Sequence, residues 1–340
     1  MSHAFDAARA AADDSGLICG YRFEPGAPAR EITLGAASEL IASVAAERET
    51  ADFLWLHFNL AHMGARRWLE RADLPAAFHD ALKEQSPTTR VERDENALVA
   101  ILNDVHFHFG YEASEIATLW ICVNRRLVVT ARQSPLRSTD RLRVAIRAGE
   151  AIGSSVELLE RLMRAQADVL IDILRNVTRE VDRIEDEMLT GRLKVKRVEL
   201  GVRRRLLVRL QRLLAPEPAS LYRLLQHPPR WMAEGEAQLL RSASEEFSVA
   251  LQDLAGVQER IKLLQEELSA LMNERTANTL FVLTVVTVVL LPVNLISGLF
   301  GMNVGGMPLQ QDPQGFWTIT AIILTITGGC AFFALRRRPD

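Results

Sequence analysis

From Thr276 to Leu335 the chain carries one charged residue, Asp312. That stretch restricts the fold more than any other feature. A helix needs about 20 apolar residues to cross a hydrocarbon core of about 30 Å. Two segments meet this requirement, residues 276–300 (TANTLFVLTVVTVVLLPVNLISGLF) and residues 316–335 (FWTITAIILTITGGCAFFAL). Buried core helices are the alternative, but helices of this length in soluble cores are rarely free of charge. The loop between the segments contains no Lys or Arg. Arg336, Arg337 and Arg338 follow the second segment, and Lys262 and Arg275 precede the first. The positive-inside rule therefore predicts both termini in the cytoplasm and the loop outside. Trp317 stands at the start of the second span, where an interfacial aromatic belongs.

The rest of the 340 residues reads as a soluble part. A net charge of -3 gives no sign of nucleic-acid binding, which needs a basic patch. Cys19, Cys122 and Cys330 are far apart and form no CxxC pair, so neither a zinc ribbon nor a disulfide framework is expected. This usage fits a reducing cytosol. The first residues carry Asp6, Asp13 and Asp14 and no long apolar run, unlike a secretory signal. Strands are expected at 17–23, 53–60, 97–109 and 115–131, the last as a hairpin turning at Asn124, Arg125 and Arg126. Short helices are expected at 63–71 and 74–85.

Beyond Asp140 the spacing is helical. Residues 154–189 and 193–214 predict an antiparallel helical hairpin, ended by Pro216 and Pro218. After Pro228 and Pro229 a longer helix begins near Glu234. Phe247, Leu251, Leu254, Ile261, Leu264, Leu268 and Leu271 form its apolar stripe. No proline interrupts it before Pro292, so it is expected to run into the first span as a stalk. Such a stripe must pack on copies of itself or on the domain beside it. The architecture predicted is an α+β membrane protein. It comprises an α/β cytosolic domain (1–139), a helical hairpin region (140–233), a stalk helix (234–275), a first span (276–300), an external loop (301–315), a second span (316–335) and a basic cytosolic tail (336–340).

One pair of spans is too little protein to enclose an ion path, so a path must form between subunits. In the first span Leu280, Thr284, Thr287, Leu291, Asn294 and Gly298 recur at spacings of four and three, which is one face of a helix. Around a symmetry axis this face predicts rings of hydroxyls and amides separated by apolar rings. Such oxygens contact a hydrated cation without trapping it. The competing account is that Thr and Asn hydrogen-bond between helices. The second span has no such face, and Gly328 and Gly329 permit close helix contact, so it reads as the outer helix.

Other candidate ligands are sparse. Asp104, His106 and His108 fall on one face of a strand, and imidazole with carboxylate suits zinc. Three residues on one strand need a further ligand to complete a tetrahedral site. His57 and His62 read as structural. Glu266 and Glu267 on the stalk face either a funnel, where negative charge concentrates cations, or plain solvent. There is no GxxxxGK[ST] and no GxGxxG after a strand, so no nucleotide site or ATP-driven step is expected. No nucleophile, base and phosphate loop converge, which argues against an enzyme. A membrane-anchored metal sensor without transport is a further alternative, but a pure anchor needs neither a second span nor a polar stripe.

Gly301, Met302 and Asn303 follow the first span, in the sequence FGMN. This tripeptide, between two C-terminal spans and followed by basic residues, resembles the CorA family of divalent-cation transporters. The resemblance covers the whole layout. It implies a homopentamer shaped like a funnel, with no cofactor beyond the transported ion. The Asn303 ring stands at its outer mouth as the selectivity element, and Gly301 and Met302 shape the turn. Many magnesium-type members place an acidic residue after a Met-Pro pair. Here Leu309 follows Met307 and Pro308, and Gly305-Gly306-Met307-Pro308 is similar to the loop of the ZntB branch. That branch handles zinc and is thought to couple to protons. The likeness favours zinc over magnesium or cobalt, in a bacterial inner membrane, and leaves Asp312 as the external charge that attracts cations.

Overall fold

The computed structural model describes residues 15–44, 52–84, 88–106, 116–190, 196–302, 308 and 313–336. Alternating apolar residues build the sheet. In β5 (Leu98–Val105), Leu98, Ala100 and Leu102 belong to one core, and Val99 and Ile101 to another. Successive strand residues point to opposite faces, so a strand apolar at every position must be covered on both sides. The seven-stranded sheet runs β2-β1-β3-β7-β6-β5-β4. The other strands are β1 (Leu17–Phe23), β2 (Arg30–Glu31), β3 (Phe53–Asn59), β4 (Arg90–Arg93), β6 (Ile116–Val123) and β7 (Leu127–Arg132). Only β3 and β7 pair in parallel; the other neighbours are antiparallel. The expected hairpin is β6–β7, and Asn124 Oδ1 caps its turn by accepting from the N–H groups of Arg126 and Leu127.

One face of the sheet is covered by α1 (Leu34–Val44), α2 (Met63–Arg71) and α3 (Ala76–Lys83), through Ala37, Leu69 and Phe78. The other is covered by α4 (Arg137–Arg147), the first turns of α5 (Ser155–Leu189), α7 (Pro216–Leu225) and the start of α8 (Glu234–Phe300). Leu142, Leu159, Leu162, Leu221 and Leu240 supply that layer. The hairpin partner of α5 is α6 (Lys196–Leu214), and the last helix is α9 (Gly315–Arg336).

Pro216 and Pro218 do end α6, as expected, but they also open α7, with Pro216 in its first turn. A first-turn N–H has no helical partner, so proline is tolerated there. The α8 helix is unbroken for 67 residues, about 100 Å at about 1.5 Å per residue. Its stripe is buried within the protomer: Phe247, Leu251, Leu254, Ile261, Leu264 and Leu268 all lie in the core, while Leu271 is half-buried. Ion pairs bind α8 to α5, with Arg260 meeting Asp182 at 2.6 Å and also Glu185, and Arg164 meeting Glu246 at 3.4 Å. The chain divides into two compact units at Leu263 and Leu264, inside α8.

Candidate functional site

The C-terminal half of α8 and the helix α9 are both long and apolar enough to cross a membrane, and neither apolar window is buried in the protomer. All six residues of the polar stripe lie on α8 and are exposed, Leu280 by 58% and Leu291 by 65%. The half-buried positions of the same span are Phe281, Val285, Val289, Pro292, Val293 and Ile296. Phe281, Val285, Val289, Pro292 and Ile296 are spaced by four and three, and with Val293 they form a second, apolar face. The polar face is therefore not covered by the described residues of the protomer.

Its hydroxyls are already oriented. Thr284 donates to the Leu280 carbonyl at 2.8 Å and Thr287 to the Leu283 carbonyl at 2.9 Å. In α9, Thr318, Thr320 and Thr325 donate in the same way to carbonyls one turn back. A Cβ placed on Gly328 or Gly329 meets nothing within 4 Å, so the close approach these glycines permit is not made within the protomer.

Followed toward the N-terminus at the same spacing, the polar face passes through Ala277, Asn273, Ala270 and Glu266, all exposed. Glu267 is also exposed but stands off this line. The helix ends at Phe300. Gly301 still donates to the Ser297 carbonyl at 2.9 Å, and Met302 to that of Leu299 at 3.4 Å. Asn303 and Asp312, the expected selectivity and capture residues, lie outside the described residues, as does His108.

Asp104 is buried, and its carboxylate caps the start of α4. Oδ2 accepts from the backbone N–H of Ser138 at 3.1 Å and from its hydroxyl, and Oδ1 accepts from the Val105 N–H at 2.7 Å. A carboxylate at a helix N-terminus satisfies amides that have no partner within the helix. Burial pushes its pKa up to about 6, against the pull of these bonds. His106 forms an isolated bridge with Leu136. Among the described residues no three His, Cys, Asp or Glu side chains are grouped to hold a metal.

His57 is fully buried. Its Nε2 accepts from Arg132 Nε at 2.9 Å, which leaves the proton on Nδ1, 2.7 Å from Thr130 Oγ1. Burial first, and the positive charge of Arg132 second, hold its pKa well below the usual histidine range, so it is a neutral core residue. His62 caps α2, accepting from the Gly64 N–H. Burial pushes Cys19 and Cys122 up to about 12, so neither is a reactive thiolate.

An α/β unit followed in the chain by two candidate membrane spans, with a polar stripe on the first, is the layout of a membrane protein. The chain belongs to the CorA-like family. The family model described as "CorA-like Mg2+ transporter protein" matches residues 50–337. The divalent cation transporter CmaX of Pseudomonas aeruginosa is 27% identical over 324 residues, covering 94% of this chain and 95% of the relative. The zinc transport protein ZntB of Pectobacterium carotovorum is 23% identical over 285 residues, covering 84% and 87%. Among solved structures, full-length CmaX matches with a TM-score of 0.80 and 25% identity, covering 96% of this chain and 99% of that one. The CorA magnesium transporter of Methanocaldococcus jannaschii matches with a TM-score of 0.74 and 18% identity, covering 95% and 98%. The protein is thus a divalent cation transporter of the CorA and ZntB type.

Proposed function

We propose that this protein carries zinc across the bacterial inner membrane as a homopentamer, with both termini in the cytoplasm. Leu280, Thr284, Thr287, Leu291, Asn294 and Gly298 line the axis, and Gly301, Met302 and Asn303 form the outer mouth. The polar face of α8 carries this reading, because all six of its positions are left uncovered by the described residues of the protomer. Asp312 draws cations to the mouth, and Glu266 places a carboxylate on the same line at the inner end. Asn303 offers neutral amide oxygens to an ion that still holds its water, which binds without full-charge trapping. The Gly305-Gly306-Met307-Pro308 loop and the ZntB relative favour zinc, with the ion gradient, the membrane potential or protons supplying the drive.

The second reading is a magnesium or cobalt channel, favoured by the family description and the CorA fold match. Liposomes containing the purified protein, with zinc, magnesium, cobalt and protons compared, separate the two. Zinc flux exceeding magnesium flux, lost in Asn303→Ala while the oligomer stays intact, is the expected result. Wild-type flux of both ions in that variant removes Asn303 from the selectivity site.

A further inference from the structure

Helices α4 and α5 leave between them a cleft of ≈ 800 Å³. Residues one turn apart share a helix face, so Arg137 and Arg141 line it from α4, and Arg175 and Arg179 from α5. Against these four arginines stand two aspartates, both engaged. Asp140 pairs with Arg143 at 2.7 Å, and Asp172 pairs with Arg141 and, at 3.7 Å, with Arg175. Among the described residues Arg179 bonds only to neutral groups, the Asn176 amide and the Arg175 carbonyl. Among the described residues Arg137 has no carboxylate within ion-pair distance. The cleft therefore holds two guanidinium groups, one on each wall, with no anion of their own.

We propose that this cleft binds an oligophosphate anion, with Arg137 and Arg179 gripping its phosphates from opposite walls. Guanidinium forks match phosphate oxygens in pairs and form the stronger, charge-assisted class of hydrogen bond. The volume falls in the range of small-ligand sites, about 300–1,000 Å³. The Ser138 backbone amide of α4 is not a donor here, because Asp104 already takes it. Val144, 67% exposed, gives the cleft an apolar wall that suits a base or sugar beside the phosphates. No glycine-rich loop is involved, which is why no sequence motif marks the site. An anion held here ties α4 to α5, the helix that Arg260 joins to α8.

The test is calorimetric titration of the full-length protein in lipid nanodiscs, free of divalent metal, with sodium tripolyphosphate in one arm and ATP in the other. Saturable binding of at least one probe is expected. It should weaken about tenfold or more in Arg137→Gln and in Arg179→Gln, the loss of a charge-assisted contact. Arg223→Gln on α7 should bind as the wild type does. Tighter binding of ATP identifies a nucleotide; equal binding identifies the phosphate chain alone. Arg137→Lys, which keeps the charge without the fork, should bind between the wild type and Arg137→Gln. The proposal is overturned if the wild type binds neither probe, or if both glutamine variants bind unchanged. It is also overturned if the wild type binds neither probe and the variants instead alter the oligomer mass, which would make the cleft a contact between copies.

Discussion

The backbone N–H of Asn103 in β5 donates to Glu217 Oε1, at the start of α7, across 2.6 Å. The carbonyl of the same residue accepts from Gln166 Nε2 of α5 at 3.0 Å. The pairing of β4 with β5 reaches only to Arg90 and Ile101, so beyond it two side chains close the edge of β5 in place of a strand. Glu217 is fully buried, and among the described residues neither its buried Oε2 nor the buried Gln166 Oε1 has a hydrogen-bond partner.

Glu217 therefore favours its protonated form. Burial raises its pKa well above the usual carboxylate range, and the negative field of Asp104 adds to this. A pKa raised in the folded state means that the native protein holds the proton after the unfolded chain has released it. The stabilising proton is fully present below the unfolded pKa and is lost as pH rises through the folded one. Glu217→Gln keeps the acceptor for Asn103 and replaces the proton with a permanent donor. Its advantage over the wild type should grow by up to about 1.4 kcal/mol per pH unit above the ordinary carboxylate range. Thermal unfolding midpoints across a pH series check this; a difference that stays constant with pH would mean that Glu217 is ionised without penalty.

Leu254 is fully buried in the α8 stripe, and Val249, five residues earlier, is 56% exposed. Leu254→Ala should cost about 2–5 kcal/mol through lost burial and a residual cavity. Val249→Ala should stay within about 0.5 kcal/mol, as surface changes do. Denaturant midpoints of the two variants measure the contrast, and similar losses would mean that the stripe does not define the packed face.

In the span, single cysteines at Thr284, Thr287 and Leu291 should react with small aqueous thiol reagents, once Cys19, Cys122 and Cys330 have been replaced. Cysteines at Val285 and Val289, on the half-buried face, should react far more slowly. Equal labelling of both sets would rule out the polar stripe as the water-facing one.

Much of this was readable in the amino-acid order because the residues concerned answer to strong, local demands. The first strand, Leu17–Phe23, and the start of α8 at Glu234 fall where the periodicity puts them. The spans were readable because hydrocarbon excludes charge. Other elements depend on distant partners. β4 is RVER, two of its residues exposed, and becomes a strand only because β5 offers it an edge. The parallel match of β3 with β7 joins segments far apart in the chain. α7 was hidden by prolines that break one helix and begin another. Asp104 alternates with His106 and so resembles a ligand, but its neighbour in space is the first turn of α4, which no spacing rule reveals.

The Thr284 and Thr287 hydroxyls each give their hydrogen to a carbonyl of their own helix. Whatever approaches them from the open side meets oxygen lone pairs. An anion needs a hydrogen pointed at it, and supplying one here would mean breaking a bond worth about 1 kcal/mol for every hydroxyl turned outward. In the proposed pore a ring of such threonines would be electrically neutral yet polarised in one sense, and it would discriminate by the sign of the visitor's charge before size or hydration matters.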